Sequence, residues 1–217
     1  MELQVNKTKW LRNNQYYPTV ETKSQIFLHH TAGLNAAGAI NWWNTTPEHV
    51  GVAYVIDRDG TIFQCFDDNQ WGYHLGIKGD DDFCEKHSVG IEIVSAGGLV
   101  EKDGKFFFYP LGPSKPGTEI PKEEVEQCEW RGYKYFHAYN GKQIDSLSKL
   151  ISFLLEKYPN IKIQKDWENF YNLKKEILSS HESGVWSHTT VREDKCDVYP
   201  SKTLLSMLGD IVEKSLS

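Results

Sequence analysis

The chain has 217 residues, 39% hydrophobic and 25% charged, which is the balance of a globular protein with an ordinary core. Its formal net charge of −6 excludes the basic stripe of a nucleic-acid surface, and no apolar run approaches the ~18 residues that would span a membrane. The longest block of like charge is Asp80-Asp81-Asp82, so no charged tail is present.

The start, Met1-Glu2-Leu3-Gln4-Val5-Asn6-Lys7, lacks a basic head followed by an apolar stretch. Synthesis in the cytoplasm without a signal peptide is therefore expected. Residues 25–30 read as a buried strand that ends in His29-His30-Thr31-Ala32-Gly33. A short helix follows from Asn35 to Trp43, with Ala36, Ala37, Ile40, Trp42 and Trp43 as its apolar side. Val52–Asp57 and Thr61–Phe66 form a hairpin around Arg58-Asp59-Gly60. Ser88–Ser95 is a third apolar strand with one acid, Glu92, in its middle.

From Ala96 to Asn140 the pattern becomes irregular. It offers one hairpin around Lys102-Asp103-Gly104 and a Pro/Gly-rich loop, Pro110–Gly117. So long a stretch in a compact domain reads as an insertion that walls a groove. Gln143–Tyr158 carries Ile144, Leu147, Leu150, Ile151, Leu154 and Leu155 at helical spacing. Residues 161–178 are ambiguous, Gly184–His188 is a short strand delivering His188, and Ser201–Lys214 is a terminal helix. Strands, a long amphipathic helix, then a final strand and helix predict an α/β fold. The expected architecture is a single domain, 1–217, with a central mixed β-sheet flanked by helices and a functional groove at the strand ends.

Imidazoles at the mouth of a buried strand invite a ligand, since neutral His is the commonest metal ligand. A second polar cluster, Ser187-His188 through Lys195-Cys196-Asp197, supplies further donors. His29, His188 and Asp197 could provide three zinc ligands and leave one position for water, the pattern of a catalytic Zn2+ site. Cys196 as a thiolate ligand and His181 in place of His188 remain open on the residues alone. The four cysteines (Cys65, Cys84, Cys128, Cys196) lack C-x-x-C spacing and are expected as reduced thiols.

Five segments together resemble one family. They are Phe27-Leu28-His29-His30-Thr31-Ala32, Gly51 to Ile62, Gln70-Trp71-Gly72-Tyr73-His74-Leu75-Gly76, Ser88-Val89-Gly90-Ile91-Glu92-Ile93, and Ser187-His188 with Lys195-Cys196-Asp197. In these the sequence resembles the zinc-dependent N-acetylmuramoyl-L-alanine amidases of the phage-lysozyme and peptidoglycan-recognition-protein superfamily, over about Gln25–Ser95 and Gln143–Pro200.

The resemblance implies that His29 rather than His30 is the first ligand, and that Asp197 follows the lysine at the family's spacing. It further implies Glu92 as the proton-transferring acid and Lys195 as the stabiliser of the oxyanion. Trp71, His74 and Thr31 would face the peptidoglycan substrate, and Thr31 or Thr189 could stand behind a ligand histidine. Some phage relatives carry a catalytic tyrosine at the position of Val52, so the proton work would fall to Glu92 here. The implied activity is cutting muropeptide on the bacterial cell wall, as a monomer, in the manner of an endolysin or a secreted antimicrobial hydrolase. A non-catalytic peptidoglycan-binding module and a zinc peptidase cutting the stem peptide are the alternatives.

Overall fold

A computed structural model describes residues 3–77, 82–109, 112, 115 and 117–216. Most of the acidic run, Asp80 and Asp81, and much of the Pro110–Gly117 loop lie outside the described residues. The first half of the chain runs β1 (Gln25–His30), α1 (Ala36–Trp43), β2 (Tyr54–Ile56), β3 (Ile62–Gln64), α2 (Phe83–His87) and β4 (Ser88–Ile93). Next come β5 (Gly98–Lys102), β6 (Lys105–Phe108), β7 (Thr118–Ile120), β8 (Val125–Trp130) and β9 (Tyr133–His137). The chain closes with α3 (Gly141–Lys157), α4 (Ile177–Ser180), β10 (Gly184–Ser187), α5 (His188–Val191) and α6 (Lys202–Leu216).

The central sheet is mixed, in the order β10-β1-β4-β2-β3. β1 is an inner strand of it, parallel to both β10 and β4, and every one of its residues is buried. That explains its unbroken apolar run, because a parallel strand covered on both faces has no solvent side to make polar. β1 and β4 pair with His29 opposite Glu92, and parallel register keeps partners on one face. The expected hairpin at Asp59-Gly60 is the antiparallel β2–β3 pair, with Gly60 at φ 88°.

The stretch from Ala96 to Asn140, expected as irregular, is a second five-stranded sheet of order β7-β6-β5-β9-β8. Its strands are short and mostly exposed, so hydrophobic alternation is weak: β7 buries only Ile120, and β8 is nowhere fully buried. Only the β5–β6 hairpin announces itself, with Asp103 and Gly104 both at positive φ as a two-residue I′ turn requires. A small core of Ala96, Leu99, Phe106, Phe108 and Ile120 holds this sheet together. In the ambiguous region 161–178 the chain forms a 3-10 turn at Trp167–Asn169 and enters α4.

α3 packs its buried Leu147, Leu150, Ile151 and Leu154 on the central sheet. Its start is fixed by a capping box in which the Asn140 side chain accepts from the Gln143 amide and Gln143 Oε1 accepts from the Asn140 amide. Gln143 does more than cap. Its Nε2 donates to Val94 O at 2.8 Å and Ile56 O at 3.4 Å, and its Oε1 accepts from Arg58 at 2.9 Å. Gln143→Ala keeps the Asn140 cap but removes its reciprocal bond and leaves the Val94 carbonyl unpaired, so we expect a loss of about 1–3 kcal/mol in chemical unfolding. An unchanged midpoint would mean that helix and sheet are joined by apolar packing alone.

Of the paired tryptophans in α1, Trp43 is core at 5% exposure while Trp42 stands out at 60%. All four cysteines are free thiols. Among the described residues no helix is long and apolar enough to cross a membrane.

Candidate metal centre

Three elements converge at the C-terminal end of β1. β1 delivers His29, and the loop after α5 delivers Asp197. His188 is not the last residue of a strand as expected but the first of α5, a four-residue helix that begins where β10 stops. His29 Nδ1 lies 3.1 Å from His188 Nδ1 and 3.1 Å from Asp197 Oδ2, and His188 Nδ1 lies 2.9 Å from the same oxygen. Among the described residues these three form the one group of His, Cys, Asp or Glu side chains arranged to hold a metal.

The protons around this trio can be assigned from its neighbours. His188 Nε2 faces the Leu75 carbonyl at 3.0 Å, and since a carbonyl only accepts, that nitrogen carries the hydrogen. His29 Nε2 faces His74 Nδ1 at 3.0 Å, and His74 Nε2 faces Ser88 Oγ at 2.8 Å. The Ser88 hydroxyl spends its own hydrogen on Cys84 O, so its oxygen accepts from His74. His74 Nδ1 is then an acceptor, His29 Nε2 donates to it, and His29 Nδ1 is left with a lone pair.

Two imidazole lone pairs and a carboxylate oxygen thus meet with no proton between them. Protonation does not relieve the conflict, because burial above all pulls the His29 pKa down to about 4, while Asp197 pulls the other way. A cation is what such a donor set fits. Two histidines and a carboxylate with a free position match hydrolytic zinc sites, and the same trio serves iron in oxygenases.

Glu92 sits beside this group on β4, with one carboxylate oxygen buried and without a hydrogen-bond partner. Burial, and then the negative charge of Asp197, push its pKa well above the ordinary value; Lys195 opposes the rise. Lys195 is half-buried on the same loop as Asp197.

The remaining expected site residues fall elsewhere. His30 turns away by strand alternation and bonds Tyr139 Oη at 3.1 Å. Cys196 Sγ faces His30 Nε2 at 4.0 Å, outside the three-ligand group, and His181 is stacked on Phe83. Thr31 does not support a ligand histidine. It closes the turn after β1, where its Oγ1 accepts from the Ser95 amide at 3.3 Å. Thr189 is likewise engaged with Ser187, at 2.6 Å. Trp71 offers no open face for a sugar: it is 7% exposed, stacked on Tyr17 at 4.0 Å, with the Lys86 ammonium over its ring.

His74 is not a groove residue either. Its side chain is only 4% exposed and serves as the acceptor behind His29. Gly90 makes room for it, since a Cβ there would stand 2.8 Å from Val52 and 3.2 Å from the His74 ring. Glu126 on β8 went unnoticed in the sequence. It accepts from Tyr199 Oη at 2.8 Å, Ser201 Oγ at 3.0 Å and the Lys202 amide at 3.2 Å, and so ties the end of the Asp197 loop to the start of α6. Nothing short of the β8 placement could have found it.

The buried histidines also make the metal-free protein acid-sensitive. His29, His30 and His74 all have lowered pKa values, chiefly through burial, whereas in the unfolded chain they protonate near 6.5. Between those values the unfolded state binds more protons, so stability rises with pH across that window and falls on acidification. The melting temperature of chelated protein is expected to drop between pH 7 and pH 5. Glu92 and Glu85, whose pKa values burial raises, act in the opposite sense, so a profile that fails to fall would mean that these carboxyls outweigh the three rings.

Comparison with known proteins places this geometry. The family described as N-acetylmuramoyl-L-alanine amidase matches residues 20–197, a span that holds every ligand candidate. No curated protein matches the chain at a significant level. Among solved structures, the hydrolase AmiA of Staphylococcus aureus is similar at 13% identity and TM-score 0.55, over 100% of this chain and 85% of that one. A mutant of PlyL is similar at 14% identity and TM-score 0.54, over 99% of both chains. A mutant endolysin from Bacillus subtilis is similar at 17% identity and TM-score 0.51, over 99% of this chain and 100% of its own. At these identities the likenesses establish a shared α/β fold, and the family match over most of the chain establishes more: this protein belongs to the N-acetylmuramoyl-L-alanine amidase family.

Proposed function

We propose that the chain hydrolyses the amide between N-acetylmuramic acid and the L-alanine of the peptidoglycan stem peptide, with zinc held by His29, His188 and Asp197. The observation that carries this reading is the meeting of three acceptors, from two buried histidines and the half-buried Asp197, with no proton among them, beside a Glu92 carboxylate whose Oε2 is buried without a hydrogen-bond partner. A bound zinc would supply an acidified water and polarise the scissile carbonyl.

Glu92 takes the proton from the attacking water and passes it to the leaving amine of L-alanine. Its raised pKa suits a group that must hold a proton for part of the cycle. Lys195 sets a positive charge against the oxyanion that develops as water adds to the carbonyl. His74 and the Leu75 carbonyl fix the tautomers of His29 and His188, so that their lone pairs face inward.

The second sheet acts as an insertion flanking the substrate groove. Arg131, at the turn between β8 and β9, donates to the Glu193 carbonyl on the loop that carries Lys195 and Asp197. The family and this site support a cell-wall lytic role, as an endolysin or a secreted wall hydrolase. Labelling the amino groups exposed by digestion of purified peptidoglycan tests the bond specificity. New N-terminal alanine is expected, with one zinc and no iron in the protein by elemental analysis. New amino groups on residues inside the stem peptide would make it a peptidase, and no new amino groups on several wall types would make it a binding module.

A further inference from the structure

The two outer partners of the metal centre, His74 and the Leu75 carbonyl, are neighbours in sequence but belong to a loop without regular structure. Something must hold that loop, because a small error there would swing both ligand rings. The holding group is Glu85, in the five-residue α2 and only 1% exposed. Its Oε2 accepts from the His74 amide at 2.8 Å and the Leu75 amide at 3.1 Å. Its Oε1 accepts from the Leu75 amide at 3.2 Å and the Ile77 amide at 3.4 Å.

Three amides of one short segment therefore curl around a single carboxylate. Gly76 makes the curl possible with φ 63°, and Arg192 closes it from outside by donating to Leu75 O at 3.0 Å and Gly76 O at 3.3 Å. The same turn of α2 supplies the Cys84 carbonyl that takes the Ser88 hydrogen, the last link behind His74.

We propose that Glu85 is the positioning residue of the metal centre, orienting His29 through His74 and His188 through the Leu75 carbonyl with one carboxylate. The proposal rests on the zinc reading above. Only an ionised carboxylate fits the role: it offers acceptors alone to three N–H donors, whereas an amide would turn an NH2 group toward one of them. Glu85 touches neither substrate nor metal, so its removal acts on the ligands' aim and not on their number.

The test titrates the chelated protein with zinc against a chromophoric chelator, for wild type, Glu85→Gln, Glu85→Asp and a control, Ile177→Val. Ile177 is buried in the same apolar cluster as Leu75 and Cys84 but makes no side-chain hydrogen bond, so it reports the effect of loosening that cluster alone. Glu85→Gln is expected to weaken zinc affinity about 10–100-fold, the usual cost of losing an outer partner. Ile177→Val should stay within about 2-fold of wild type, and cobalt substituted for zinc should show a shifted visible spectrum only in the Glu85 variants. Should Glu85→Gln not fold, Glu85→Asp, which keeps the charge but withdraws it by one methylene, makes the same comparison. Wild-type zinc affinity and an unshifted cobalt spectrum in the folded Glu85 variant would overturn the proposal, and so would an equal loss in Ile177→Val. A wild-type protein that binds no zinc would instead remove the reading on which the proposal rests.

Discussion

Replacing Glu92 with glutamine is expected to lower kcat by about 10²–10⁴-fold while leaving the zinc content at one per chain. The side chain keeps its shape and loses only the capacity to move a proton. Because Glu92 Oε2 makes no hydrogen bond, no structural contact is sacrificed, and the melting temperature should not fall. The variant is therefore comparable with wild type directly. Burial and the nearby Asp197 hold the Glu92 proton on to a higher pH than an ordinary carboxylate. Full activity of the glutamine variant, with zinc bound, would assign the proton transfer to another group.

Asp197→Ala is expected to act one step earlier, on the metal. It removes the only negative charge among the three acceptors, and a ligand should count for more than the 10–100-fold typical of its outer partners. Zinc affinity should fall by more than ~10²-fold, with hydrolysis at fixed zinc falling in parallel. The two variants thus separate cleanly. Glu92→Gln yields a loaded but inert protein, whereas Asp197→Ala yields one that added zinc partly restores. Cys196 gives a further check, since its sulfur faces His30 and not the trio. Cys196→Ser should keep wild-type zinc affinity, and a loss matching that of Asp197→Ala would make the thiolate the third ligand.

The central sheet and the convergence of His29, His188 and Asp197 were legible because their signals are local and strong. β1 is an uninterrupted apolar run broken by two histidines, and α3 repeats its apolar residues at helical spacing. The second sheet was hidden because strands such as β7 and β8 leave most residues exposed, so alternation scarcely registers. The layer behind the ligands was hidden for a different reason. Leu75 acts through its carbonyl and Glu85 through backbone amides of a loop, contacts that any residue type can supply on one side. Trp71 and His74 looked like groove residues because aromatic and imidazole groups near a site suit a ligand. Packing uses them inside, Trp71 in a stack with Tyr17 and His74 as the proton acceptor for His29.

The most direct measurement is the mass of the products from purified peptidoglycan digested by this protein, untreated, chelated, and chelated then supplied with zinc. Free stem peptides beginning at L-alanine are expected together with intact peptide-free glycan, lost on chelation and recovered with zinc. Fragments cut elsewhere, or cleavage indifferent to the chelator, would contradict the proposed activity.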